Sequence, residues 1–171
     1  MSETLFDRIR GFLDMQSVAY RTVSHGPTLT SEASAEARGE DIRIGGKALL
    51  IKAGDVFRLF VLSAAARLDS DAVRRLCAVK KVRFATREEL MELTGLVPGS
   101  VPPFGPPLLP FELLVDESVA ANELIAFNAG SLTDSIVMGT SDYLRVARPT
   151  MGRFSIMPET DGPGAQNSPV T

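Results

Sequence analysis

The chain has 171 residues, of which 44% are apolar and 23% charged, with a formal net charge of −3. That suits one soluble domain with a sizeable core and excludes a wholly disordered chain. A single cysteine, Cys77, and a single histidine, His25, leave no internal disulfide, no Cys-rich zinc site and no site needing two imidazoles. No window holds 18 uninterrupted apolar residues, and Met1-Ser2-Glu3-Thr4 does not open a secretory signal. The expectation is a cytoplasmic protein with no membrane partner, no metal and no cofactor.

The predicted elements begin with an amphipathic helix, in which Leu5, Ile9, Phe12 and Leu13 recur on one face. A short extended piece, 19–23, leads into the turn-prone Ser24-His25-Gly26-Pro27. Residues 30–38 are alanine-rich, and Gly39 is placed to stop that helix. Two strand candidates, 48–52 and 56–62, flank Ala53-Gly54-Asp55 and predict a hairpin. Ser70 can cap a helix running to about Ala78 that buries Val73, Leu76 and Cys77. A strand is expected at 82–85. Thr86-Arg87-Glu88-Glu89 has the form of a capping box, opening a helix that Gly95 ends.

Residues 95–110 hold six prolines and three glycines, which predicts a loop of restricted shape. Buried strands are expected at 113–115 and 124–127, a turn at 128–131 and a strand at 136–138. Ser141 can cap a last short helix containing Tyr143 and Leu144, and 154–157 can pair at a sheet edge. The polar stretch 158–171, with three prolines and two glycines, reads as a disordered tail behind a single domain spanning 1–157. Strands and helices alternate irregularly with hairpin-like joins, so the expected class is a mixed sheet with helices packed around it.

Charge is unevenly spread. Residues 1–50 sum to −1, residues 51–100 to +3 and residues 101–171 to −5. Arg74, Arg75, Lys80, Lys81 and Arg83 fall together with no acid among them, a face suited to a polyanion or simply a solvated helix end and strand. Three catalytic patterns fail. Gly46-Lys47 resembles the end of a phosphate-binding loop, but Asp41 holds the first glycine position and Ala48 replaces the Ser/Thr. There is no G-x-S-x-G elbow, and Cys77 lies on an apolar helical stripe where a structural thiol is expected.

Three elements remain. Lys47 opens an apolar strand just after Gly45-Gly46, where its stem can pack while its ammonium points into a cleft. Gly99-Ser100-Val101-Pro102-Pro103-Phe104-Gly105 combines glycines, which let a ligand approach the backbone, with prolines that stiffen the wall. Gly130-Ser131-Leu132-Thr133-Asp134 is a turn with small hydroxyls and one carboxylate. Taken singly, a surface lysine, a crossover loop and an ordinary turn account for each.

In this order and spacing, with His25-Gly26-Pro27, 62–69, Leu114-Val115-Asp116 and Asn128-Ala129-Gly130-Ser131, the chain resembles the YbaK/ProX (YbaK/EbsC) aminoacyl-tRNA deacylases, relatives of the editing domain of bacterial prolyl-tRNA synthetases. The resemblance runs from about His25 to Val146. It implies an α+β fold with a curved, largely antiparallel sheet surrounded by helices. It implies hydrolysis of the ester joining a wrong amino acid to the tRNA 3′-adenosine, with mischarged tRNA as partner and a synthetase as a further candidate partner.

By the same resemblance Lys47 occupies the position of the family's key lysine, and Gly99 and Pro103 match the ends of a G-x-x-x-P loop. His25, Gly99, Ser100, Val101, Pro102, Pro103, Gly130, Ser131 and Asp134 are then the candidate substrate-binding residues. Arg74, Arg75, Lys80 and Lys81 are candidates for tRNA phosphates. Where the family has a His-Thr pair after the Gly-Ser turn, this chain has Leu132-Thr133. The aromatic that some members carry after the His-containing turn is absent from 28–32. Competing readings are a non-catalytic tRNA- or nucleotide-binding module of the same fold and a small-molecule ester or amide hydrolase.

Overall fold

The computed structural model describes residues 3–158. Six helices and ten strands alternate, in chain order α1 (Leu5–Met15), β1 (Tyr20–Ser24), α2 (Ser31–Arg38), β2 (Gly46–Ala53), β3 (Val56–Ser63), β4 (Arg67–Leu68), α3 (Ser70–Cys77), β5 (Val82–Phe84) and α4 (Arg87–Thr94). After a long loop come β6 (Leu113–Asp116), α5 (Glu117–Ala120), β7 (Leu124–Asn128), β8 (Asp134–Gly139), α6 (Thr140–Ala147), β9 (Thr150–Gly152) and β10 (Ser155–Ile156). A 3-10 turn, Ile42–Ile44, links α2 to β2.

The hairpin forms as expected. Ala53 pairs with Val56 across the two-residue turn Gly54-Asp55, and the ladder runs back to Gly46 opposite Ser63. It is the heart of a five-stranded sheet of order β5-β2-β3-β6-β9, in which β6 lies parallel to both β3 and β9. A second sheet, β1-β8-β7, is antiparallel throughout, and β4 pairs with β10. The main core fills the space between the two larger sheets and α1. Phe104 stands at its centre, edge-on to Phe12, Phe127 and Tyr143 at centroid distances of 6.1, 5.5 and 5.4 Å. Each such pair adds about 0.5–1.5 kcal/mol beyond burial. The Tyr143 hydroxyl donates to the Pro103 carbonyl at 2.6 Å, and burial pushes its phenol well above the usual range. The proline-rich loop is therefore clamped at its inner end.

A smaller core, including Ile51, Phe60, Leu62, Val73 and Phe154, lies under α3. Thr86 and Glu89 form the expected reciprocal cap of α4. Other details differ from the sequence expectations. Asp69, not Ser70, caps α3, because its carboxylate accepts the Asp71 and Ala72 N–H groups. Leu76 is 48% exposed: it reaches past the sheet over Gly152, where no side chain covers it. Gly139, not Ser141, is the N-cap of α6, and no side chain caps that end. Phe154 precedes β10 and is fully buried against Phe60. Of the expected tail, 159–171 lies outside the described residues. Among the described helices, none is long and apolar enough to cross a membrane.

Candidate active site

Lys47 sits where the β2–β3 ladder opens, opposite Leu62. The glycines before it are required by close packing rather than by a phosphate. A Cβ at Gly45 would stand 2.9 Å from Ala64 Cβ, and one at Gly46 would stand 2.7 Å from Ile125 Cδ1. Their absence lets β2 pass tightly beside β7, where Gly45 bridges to Ala126. The Lys47 side chain is half-buried, and Nζ donates to the Ala66 carbonyl at 2.7 Å. Burial lowers its pKa from the ordinary lysine value, partly offset by the carboxylate of Glu32. One ammonium N–H is thus fixed to the backbone, and two remain for a ligand.

The cavity beside it measures about 210 Å³ and opens between the first turns of α2, the start of β2 and the Gly99 loop. Of the residues singled out in the sequence, Lys47, Gly99 and Val101 line it together. Gly99 adopts φ +90°, a conformation that favours glycine. The Ser100 N–H is spent on the Val97 carbonyl, and its hydroxyl donates there too. Among the described residues, the Gly99 and Val101 N–H groups have no hydrogen-bond partner, so they are the two donors this loop can offer. Ser100, Pro102 and Pro103 are buried behind it as its rigid backing.

Gly130, Ser131 and Asp134 do not line the cavity. Gly130, at φ +75°, lies against Leu5 of α1. The Asp134 carboxylate accepts hydrogen bonds from Ser131, Thr133 and Ser24 at 3.0–3.3 Å, which locks the turn onto itself. Leu132 packs against the back of the loop, 3.4 Å from where a Gly99 Cβ would be, and its carbonyl accepts the Thr28 N–H. An apolar buttress therefore occupies the place where the resemblance leads one to look for a histidine. His25 is also outside the cavity. Its Nδ1 lies 2.8 Å from the Gly26 carbonyl, which can only accept, so Nδ1 carries the proton. Nε2 lies 2.8 Å from the Ser135 hydroxyl.

That hydroxyl leads to residues that the sequence did not offer as binding or catalytic candidates. Arg38, the last residue of α2, donates from Nε to Ser135 Oγ at 2.9 Å and from Nη2 to Asn128 Oδ1 at 3.2 Å. Asn128 in turn donates to the Gly99 carbonyl at 2.8 Å and to Thr28 Oγ1 at 3.4 Å, and Ser34 donates to Thr28 Oγ1 at 2.8 Å. Arg38, Asn128, Thr28 and Ser34 all line the cavity. No carboxylate forms an ion pair with Arg38 among the described residues, and burial lowers it to about 10, with Glu40 opposing. Two cations, Arg38 and Lys47, thus share one small pocket with backbone donors. The only sequence signal for Arg38 was its place i+4 from Ser34 on an alanine-rich helix.

At the far end of β2, Lys52, Arg74, Lys80, Lys81 and Arg83 surround a depression of about 550 Å³ that also includes Asp55. Arg75 is exposed on α3 beside it but does not line it. Lys52 lies five positions beyond Lys47 along the strand, or roughly 17 Å. Among the described residues there is no group of three or more His, Cys, Asp or Glu side chains placed to hold a metal.

Residues 25–146 match the model of the aminoacyl-tRNA editing domain. The chain belongs to the aminoacyl-tRNA editing domain family. It is 33% identical over 154 residues to the multifunctional Ser/Thr-tRNA deacylase ProXp-y of Escherichia coli K12, covering 86% of this chain and 90% of that relative. Among solved structures, one assigned as a trans-editing enzyme for prolyl-tRNA synthetase shares the fold at a TM-score of 0.76. It is 23% identical, over 91% of this chain and 99% of that one. A hypothetical protein of known structure superposes at 0.78 with 21% identity, over 87% and 99%. The mixed, largely antiparallel architecture expected from the resemblance is the editing-domain fold. The protein is an aminoacyl-tRNA deacylase, and its substrate is a mischarged aminoacyl-tRNA.

Proposed function

We propose that this editing domain releases seryl and threonyl groups from mischarged tRNA, with Lys47 as the catalytic cation. The observation that carries the second half is that Lys47, Gly99 and Val101 line one cavity of about 210 Å³, the last two with backbone N–H groups that no other described residue engages. The first half is supported by the likeness to a Ser/Thr-tRNA deacylase.

Water adds to the ester carbonyl carbon, charge collects on the carbonyl oxygen, and the bond to the ribose oxygen then breaks. The products are a free amino acid and a tRNA with its terminal hydroxyl restored. Lys47 and the two loop N–H groups face the developing oxyanion, the kind of preorganised arrangement in which one donor is worth about 100- to 1000-fold in rate. Among the described residues no carboxylate or imidazole lines the cavity, so a ribose hydroxyl of the terminal adenosine assists the attacking water. An aminoacyl ester is already activated, and holding it against fixed donors supplies much of the acceleration. Ser131 and Asp134 brace the wall, and His25 braces Ser135.

The tRNA phosphates lie along the basic depression at the far end of β2, where Arg74, Arg75, Lys80 and Lys81 meet them. The protein acts in the cytoplasm, after a synthetase has released the wrong product. Single-turnover deacylation across a panel of mischarged tRNAs tests this reading. Rapid release of serine and threonine supports it. A non-catalytic module releases nothing, and a general esterase hydrolyses free aminoacyl esters with no effect of added tRNA.

A further inference from the structure

We propose that Arg38 and Ser34 form a hydroxyl-reading subsite, which selects substrates by a hydrogen-bonded pair rather than by size. This rests on the Ser/Thr reading above and names the residues that would enforce it.

Ser34 and Arg38 stand four residues apart on α2 and so share one face, the face that lines the cavity. Thr28, Ser34 and Asn128 are only 5%, 6% and 7% exposed, so this end of the pocket is closed. The guanidinium is fixed there on one edge, through Nε to Ser135 and Nη2 to Asn128. Its remaining nitrogen, Nη1, has no hydrogen-bond partner among the described residues, and it lies 3.7 Å from the position a Gly45 Cβ would take. It therefore sits beside the glycine pair that leads into Lys47.

Ser34 has the opposite vacancy. Its proton goes to Thr28 Oγ1, and its own oxygen accepts no hydrogen bond among the described residues. A hydroxyl placed between them accepts from Nη1 and donates to Ser34 Oγ, satisfying both groups. A methyl in the same place leaves a buried cation and a buried acceptor unpaired, which is the circumstance in which binding sites reject isosteres strongly. The substrate's α-ammonium cannot take this position, because Arg38 and Lys47 both repel it; Glu32, exposed on the first turn of α2, attracts it outward.

The test compares Thr with its isostere Val, and Ser with Ala, which lacks the hydroxyl, on one tRNA in single-turnover deacylation by the full chain. Melting temperatures are recorded for each variant. Arg38→Met is expected to lower the Thr/Val and Ser/Ala rate ratios by about 10- to 100-fold, the loss of one hydrogen bond to a charged donor. Ser34→Ala, a smaller change, is expected to lower both ratios several-fold. Ratios that stay at the wild-type value in either folded variant overturn the proposal. So does Arg38→Met slowing all four esters equally, since Arg38 would then bind the part they share. Should Arg38→Met fail to fold, the Ser34→Ala ratios decide alone. A wild-type protein that releases neither serine nor threonine refutes the Ser/Thr reading itself. A wild-type preference that survives both substitutions refutes only the subsite.

Discussion

Replacing Lys47 by alanine separates chemistry from folding, because the two effects have different sizes. The Nζ group donates once to the Ala66 carbonyl, which leaves two N–H groups for a ligand, and Lys47 lines the cavity. Losing a donor to the oxyanion costs about 100- to 1000-fold in rate, or roughly 3–4 kcal/mol of transition-state stabilisation. The folded state loses one charged hydrogen bond, worth about 1.5–3 kcal/mol. That loss is offset because burying the ammonium was itself unfavourable, as its lowered pKa shows. A net change of about 1 kcal/mol moves the melting temperature of a chain this size by about 2–4 °C. The expected Lys47→Ala protein is therefore folded, binds uncharged tRNA nearly as wild type does, and is slow. The assay is single-turnover release of amino acid with enzyme in excess, alongside thermal melting by circular dichroism. A rate within threefold of wild type would refute the assignment of the cation. A melting temperature lowered by more than about 10 °C would refute the claim that the residue is dispensable for the fold.

Neutralising Arg74, Arg75, Lys80 and Lys81 together is expected to reduce the slope of log affinity against log salt by about one for each phosphate no longer neutralised. An unchanged slope places the tRNA on another face. Asp116 is the anchor of the C-terminal strands: its carboxylate accepts from Phe154 N and Ser155 Oγ at 2.6 Å and from Ser118 N at 2.9 Å. Burial alone would raise this carboxyl, but those hydrogen bonds outweigh it and hold it below its ordinary value of 3.8. Its contribution to stability is thus complete above that value and fades as pH falls through it towards the folded-state pKa. Asp116→Asn is expected to lower the melting temperature by about 3–10 °C at pH 7, and the gap from wild type should narrow at pH 3; a constant gap contradicts the charge argument. Gly130→Ala places a Cβ 2.9 Å from Leu5 in a left-handed backbone. It should cost about 1–2 kcal/mol from backbone strain alone, and unaltered melting would show that α1 does not bear on the turn.

What the sequence disclosed follows from how local its signals are. The hairpin at Gly54-Asp55 and the Thr86–Glu89 cap are decided within a few residues, and both formed as expected. Lys47 was visible as a cavity residue because a lysine at the mouth of an apolar strand after two glycines is chemically conspicuous, and the family resemblance suggested the role proposed for it. Arg38 was invisible for the opposite reason. A terminal arginine on a short alanine-rich helix looks solvated, and only the approach of β7 and β8 supplies the Asn128 and Ser135 acceptors that draw it inward. Asn128 likewise reads as a turn residue, yet it ends β7 and ties the Gly99 carbonyl to Arg38. The Gly99 loop and the buried cation are thus joined through one amide, although Arg38 and Asn128 lie far apart in the chain.

That join is how the Gly130–Asp134 turn bears on the candidate site without lining its cavity. Asp134 pairs with Ser24 at the end of the β1–β8 ladder, and the following residue, Ser135, holds both His25 and Arg38. A shift of the turn would carry Ser135 with it, and the guanidinium would lose one of its two fixed bonds. Leu132 meanwhile presses on Gly99 from behind. Here the turn sets two geometries at once, the direction of Arg38 Nη1 and the position of the loop N–H groups. A leucine suits this position because it packs against Gly99 and holds a wall, and in the proposed mechanism the cation is Lys47.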